Sequence, residues 1–257
     1  MLPSHNPLDY PFLILALTFF AFWTSAWAGA YLRNRQRNPE KADDHEDFAL
    51  LLGSTLTLLA LIIGFTFSMA VNRYDQRKDY EEQEANAIGT EYVRTDILPA
   101  ADAARVRAML MSYLDQRILH YKTRNENQIR QIDTQTASLQ AEMWSAVTKP
   151  AVAQQTTVMA LVLAGMNDVL NSQGYTQAAW WNRVPTPAWI LLITISIFCN
   201  ILIGYGARHR SAFRFFILPV ALSISLFLIA EIDSPRSGII RIRPRNLEAV
   251  SDSLIRR

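Results

Sequence analysis

The sequence holds a single cysteine, Cys199, and it lies inside an apolar run. A disulfide framework and a cysteine-based metal cluster are both excluded. Charge of one sign is lacking too, because 25 Lys and Arg set against 23 Asp and Glu leave a formal net charge of only +2. A nucleic-acid-binding domain normally carries a far more basic footprint, so no nucleic-acid partner is expected. Catalytic signatures are missing: there is no Gly-rich phosphate loop, no His-Glu-x-x-His and no Gly-x-Ser-x-Gly. The histidines His5, His45, His120 and His209 stand in unrelated contexts. Glu84 and Glu91 lie two helical turns apart, but the Glu-x-x-His pairs of a carboxylate-bridged metal site are not there. An enzyme, a bound metal and a cofactor are therefore not expected.

Hydrophobic residues are abundant, at half the chain, and 19% of residues are charged, yet the two kinds are segregated. Residues 11–32 and 48–71 contain no charged side chain, nor do 188–207 and 215–230. At ~1.5 Å per helical residue, about 20 residues cross a hydrocarbon core of ~30 Å, so these four runs are expected to be transmembrane helices. The first could be taken for a signal peptide ending at Ala26-Trp27-Ala28, but only His5 and Asp9 are ionisable before it, and a basic n-region is absent. Trp180, Trp181 and Trp189 at the entry to the third run suit the headgroup layer. The fourth is short, which brings Glu231 and Asp233 to the hydrocarbon boundary.

The fold class expected is an all-α membrane protein: four transmembrane helices in two hairpins, with a helical soluble domain between spans two and three. The divisions are an N-terminal hairpin over 1–71, the soluble domain over 72–187, a C-terminal hairpin over 188–230 and a soluble tail over 231–257. Arg33, Arg35, Arg37 and Lys41 follow the first span, and Arg208, Arg210 and Arg214 lie between the last two. By the positive-inside rule both short loops are cytoplasmic, which places the soluble domain and both termini outside.

In the soluble domain the helix of span two is expected to continue to Asp96 and stop before Leu98-Pro99. A second helix begins near Ala100, with Val106, Met109, Leu110, Tyr113, Leu114 and Ile118 on one apolar face. Lys149-Pro150 is expected to break the following helix, and Asn171-Ser172-Gln173-Gly174 to end the apolar face running from Val158 to Leu170. The charges of this domain nearly balance and are expected to form a solvated surface. An extended segment around Ile240 and Ile242 and a last helix over 246–255 complete the tail.

Span two carries the most informative pattern. Ser54, Thr57, Leu61, Gly64 and Ser68 recur at three- and four-residue intervals and share one helical face, which Asn72 and Asp75 continue. A small and hydroxylated stripe on an apolar helix serves either close helix packing or a wet path. In the second case Ser54, Thr57, Leu61, Gly64, Phe65 and Ser68 line a pore, with Leu61 or Phe65 as its hydrophobic constriction. Glu231 and Asp233 need water, a cation or a basic partner at the membrane boundary, and Arg236, Arg73 and Arg77 are the candidates for a polar cluster with them.

The end of span two, Gly64-Phe65-Thr66-Phe67-Ser68, is followed by Arg73-Tyr74-Asp75, Glu84-Ala85-Asn86-Ala87-Ile88-Gly89-Thr90 and Leu98-Pro99. Asp233-Ser234-Pro235-Arg236-Ser237-Gly238-Ile239-Ile240 follows the last span. With these motifs the chain resembles the bestrophin-like domain family of bacterial membrane proteins over most of its length. Glu84, Asn86 and Gly89 are its soluble-domain motif, and Glu84 and Asn86 are expected to cap or pair within that domain or across a subunit interface. The resemblance implies kinship with bestrophins, oligomeric anion channels whose second transmembrane helix lines the pore. Their acidic calcium clasp has no evident counterpart in this tail. The expectation is a homo-oligomer in a lipid bilayer that conducts inorganic anions. The alternative is a membrane-anchored sensor or interaction protein whose spans only anchor and dimerise it.

Overall fold

The computed structural model describes residues 10–35, 42–207, 214–236 and 238–256. Arg37, Lys41, Arg208, His209 and Arg210, as well as His5 and Ser237, lie outside the described residues, as do the side chains of His45 and Arg214. Regular structure among the described residues is helical throughout: α1 Pro11–Arg35, α2 Ala42–Arg94, α3 Ala100–Lys122, α4 Glu126–Ala153, α5 Thr157–Trp181, α6 Thr186–Gly206, α7 Arg214–Asp233 and α8 Arg245–Ile255. A 3-10 turn over Thr95–Ile97 ends α2 ahead of Pro99. Four helical stretches are long and apolar enough to cross a membrane, Pro11–Arg35, Asp47–Ile97, Thr157–Gly206 and Phe215–Asp233.

The chain divides into two compact units, residues 1–73 with 183–241 and residues 74–182 with 242–257, which take the names membrane unit and soluble unit from the arrangement expected above. The 53-residue α2 contributes to both, and so does the tail.

In the membrane unit α1 packs along α6 and α7. Phe12 lies against Phe227 (5.2 Å between ring centroids), Phe19 against Phe216 (5.4 Å) and Trp27 against Phe215 (5.7 Å). Rising numbers on α1 meet falling numbers on α7, so these helices run antiparallel. The α1–α6 crossing depends on two glycines. A Cβ on Gly29 would come within 2.9 Å of the Tyr205 nitrogen and overlap the Ile201 carbonyl, and one on Gly204 would lie 2.8 Å from the Ala26 carbonyl carbon. Lipid is as apolar as a leucine side chain, so dispersion at such close backbone approach drives association here more than any hydrophobic effect does. Phe22, Leu59, Leu192, Cys199, Leu226 and Ile229 fill the unit's core.

In the soluble unit Asn125 caps α4, its side chain accepting from Asn127 N (2.9 Å) and Gln128 N (3.3 Å), and Thr156 caps α5, accepting from Met159 N at 3.2 Å. The α3 face is as its spacing suggests: Val106, Met109, Leu110, Tyr113 and Leu114 are buried and Ile118 packs beside them. Two expected breaks are absent. α4 runs on through Pro150, because a proline in the last turn removes only one bond while Ala146, Val147 and Ala151 around it are held in the core. α5 continues across residues 171–174, since buried Ser172 donates to the Val169 carbonyl (2.7 Å), turning a turn-forming hydroxyl onto the helix's own backbone.

Gly204→Val forces a side chain into the Ala26 backbone and should destabilise the membrane unit by roughly 1–3 kcal/mol, the usual range for overpacking. Thermal unfolding in detergent should show a lower midpoint than Gly174→Ala, a site with open space around it.

Candidate functional site

The two faces of α2 differ along its length. Ser54, Thr57, Leu61, Gly64, Phe65 and Ser68 are all exposed, followed by Asn72 and Asp75. Leu61 is 52% and Phe65 65% exposed, large values for apolar side chains. The hydroxyls of Ser54 and Thr57 donate to their own helix, to the carbonyls of Leu50 (2.8 Å) and Gly53 (2.9 Å), so each oxygen keeps lone pairs directed outward. Ala49, Leu50, Gly53, Ser54, Thr57, Leu58 and Leu61 line a shallow groove of about 660 Å³ on this face.

The opposite face is buried at Leu59, Thr66 and Ala70 in the membrane unit and at Arg77, Glu81, Glu84, Ile88, Glu91 and Thr95 in the soluble unit. Intervals of three, four and seven keep these residues on one side of the helix. The charged ones therefore do not belong to the solvated surface expected of them. Glu84 and Arg117 of α3 are both 0% exposed and form an ion pair. Thr176 of α5 donates to Glu84 Oε2 at 3.2 Å and the Tyr121 hydroxyl lies 3.5 Å from the same oxygen. Burial is the largest single influence on Arg117 and pulls its pKa down, but the Glu84 charge and hydrogen bond, together with Tyr113 and Tyr121, hold the guanidinium above its ordinary range. Burial, reinforced by the Glu84 charge, raises both the Tyr113 and Tyr121 hydroxyls.

Neighbouring charges on α2 close the ends of other helices. The Glu81 carboxylate accepts from Asn246 N and Leu247 N, each at 3.0 Å, and so caps α8 from another helix. Burial raises its pKa despite those bonds. Arg77 donates to the carbonyls of Ala179 (3.1 Å) and Asn182 (3.0 Å) at the C-terminus of α5, where a cation suits the helix dipole. Of the motif Glu84, Asn86 and Gly89, only Glu84 is in this buried network. Asn86 is exposed, and Gly89 faces Val250 of α8, 3.4 Å from where a Cβ would stand.

At the end of α7, Glu231 and Asp233 are buried and accept backbone N–H groups. Glu231 Oε2 takes Ile239 N (2.7 Å) and Ile240 N (3.2 Å), and both oxygens of Asp233 take Val184 N (3.0 and 3.1 Å). Gly238 has φ +90°, and a Cβ there would overlap the Glu231 carboxylate, which gives the glycine of this motif its reason. Half-buried Arg236 lies in the same turn, and half-buried Arg73 is the last α2 residue of the membrane unit. These backbone donors, 8 and 9 residues after Glu231 and 49 before Asp233, are not legible in the sequence. Neither are the buried roles of Glu81, Arg117 and Thr176, although the spacing 77, 81, 84, 88, 91, 95 is a signal that these positions share one side of α2. Among the described residues no three His, Cys, Asp or Glu side chains come together as a metal site.

Apolar helices of membrane-crossing length, joined to a helical unit with a charged interior, define a multi-pass membrane protein. Residues 17–247 match the Bestrophin-like domain, and the chain belongs to that family. It is similar in fold to a point variant of a bacterial bestrophin homolog from Klebsiella pneumoniae, with a TM-score of 0.65 at 14% identity, over 98% of this chain and 98% of that one. Another structure of that homolog matches at a TM-score of 0.65 and 14% identity, covering 95% and 97%. A structure described as a membrane protein matches at 0.66 and 14%, covering 96% and 97%. No curated protein matches the chain in sequence.

Arg117→Ala leaves the Glu84 charge buried without its partner and should cost about 3–5 kcal/mol, read as a large drop in thermal midpoint. Glu81→Ala removes the cap of α8. Amide exchange at Asn246 and Leu247 should rise by about fivefold or more, for a cap worth ~1 kcal/mol, while α3 amides keep their protection.

Proposed function

We propose that this chain is the protomer of a homo-oligomeric ion channel in a bacterial inner membrane, with the exposed face of α2 turned toward the conduction path. The observation that carries the reading is the contrast among the apolar stretches. Within an 18-residue apolar window of each stretch, 6% of the α2 residues are buried inside the protomer, against 28%, 33% and 44% for the other three. An uncovered apolar helix could simply face lipid, but this one presents Ser54, Thr57, Gly64 and Ser68 along a single line. Hydroxyls and glycine backbone offer polar atoms to hydrated ions, and rings of Leu61 or Phe65 side chains would gate such a path by dewetting. Membership of the bestrophin-like family favours inorganic anions as the ions. The two-hairpin arrangement, with both short loops cytoplasmic and the soluble unit periplasmic, completes the reading and is open to impermeant labelling of single cysteines in a Cys199→Ala background.

The rival reading, a membrane-anchored sensor or interaction protein, uses the same stripe for dimerisation. Oligomer number separates the two: a dimer without a central axis wide enough for a pore favours the rival, and a ring of protomers around a solvent-filled axis favours the channel.

Purified protein in liposomes should conduct chloride, and Leu61→Ala or Phe65→Ala should raise the flux severalfold by widening the constriction. A folded oligomer with no chloride or cation flux at any voltage or pH would defeat the proposal.

A further inference from the structure

Glu91 is a buried carboxyl for which the proposed function has no use. It is 0% exposed on the inner face of α2, and neither of its oxygens has a hydrogen-bond partner. Glu84, two turns earlier on the same face, has an arginine, a tyrosine and a threonine around it. Glu91 is instead held against α5 at Gly165, where a Cβ would overlap both Glu91 Oε2 and Arg94 Nη1. The absence of a side chain at Gly165 makes the niche that receives both groups.

Two charged groups act on this niche, half-exposed Arg94 from the same helix and exposed Asp168 from α5. On the side of α3, Arg107 is engaged elsewhere: it pairs with Asp96, donates to Thr95 Oγ1 at 2.8 Å and lies 5.5 Å from the Tyr92 ring centroid. A carboxylate without donors in such a place is costly, whereas a carboxylic acid is tolerated.

We infer that Glu91 is a proton-binding site: the closed α2–α5 contact carries one proton on this carboxyl and releases it to solvent when the contact opens, so protons hold α5 against α2. Burial raises its pKa to about 8, with Arg94 lowering it and Asp168 raising it further. The open state exposes the group, whose pKa returns to the ordinary ~4.3. Between those values the closed state binds the extra proton. The protonation contribution to closure is therefore full at acid pH, falls by up to about tenfold per pH unit as pH rises, and levels off above about 8. An alkaline shift on the side of the membrane where the soluble unit lies loosens α5 without any ligand.

The test is amide exchange of the full-length protein in detergent or nanodiscs, with each rate corrected for intrinsic base catalysis, at pH 6 to 9.5. Opening constants for α5 amides around Gly165 should rise about tenfold per unit up to about pH 8 and then flatten. In Glu91→Gln, an isosteric neutral stand-in for the protonated acid, they should stay flat throughout. Arg94→Gln should move the plateau to higher pH and Asp168→Asn to lower pH. These two side chains are partly or fully exposed, so the variants test the site even where the Gln substitution lowers yield. A flat wild-type profile, a Glu91→Gln profile that still rises, or charge variants that leave the plateau in place would each overturn the inference. Flux is not read, so a protein that conducts no ion would defeat the channel proposal and leave this site standing.

Discussion

Glu84 and Arg117 are both withdrawn from water, and α2, α3 and α5 meet at that pair. An ion pair of this kind adds little net stability, because the desolvation of two charges offsets most of their attraction. Its effect is on specificity. Only one placement of α3 and α5 against α2 brings Arg117, Tyr121 and Thr176 to the same carboxylate, and any slip leaves a buried charge alone. Apolar contacts among Ile88, Leu110, Leu114, Met143 and Met166 supply the driving force, and the ion pair selects the register.

The same principle extends to helix ends, where backbone groups lack partners inside their own helix. Arg77 satisfies the carbonyls at the end of α5, Glu81 the first N–H groups of α8, Asp233 the N–H of Val184, and Glu231 those of Ile239 and Ile240. Each of these charges is distant in sequence, or across a turn, from the group it serves. In the membrane unit, where hydrocarbon offers no hydrogen bonds and little hydrophobic gain, contact distance replaces charge as the ordering device. Gly29 and Gly204 set that distance between α1 and α6.

α2 carries both kinds of order on one continuous helix. Its inner face changes from apolar and small to charged as the chain passes from the membrane unit to the soluble unit, and its outer face stays open throughout. This combination, one face committed inside the protomer and the other unused, suits a helix whose second face is meant for water, ions or another copy. Glu91 is the exception on the inner face, a buried carboxyl whose oxygens meet no hydrogen-bond donor.

Much was legible in the sequence by itself. The four apolar helices follow from runs without charge, since an ionised side chain in hydrocarbon is too costly to be scattered there. The end of α2 before Pro99 and the core face of α3 follow from local steric and periodic rules, and the family follows from its motifs. What the sequence misread were features settled by distant partners. Residues 171–174 and Pro150 look like stops, yet packing of the surrounding apolar residues carries the helix through both. Glu81, Glu91 and Arg117 look like surface charges, because a charged residue reads as solvated until its surroundings are known. Arg117 is 33 residues from Glu84, and Leu247 is 166 residues from Glu81. No local pattern encodes separations of that size, so only the tertiary structure could decide which charges are buried and which backbone ends they close.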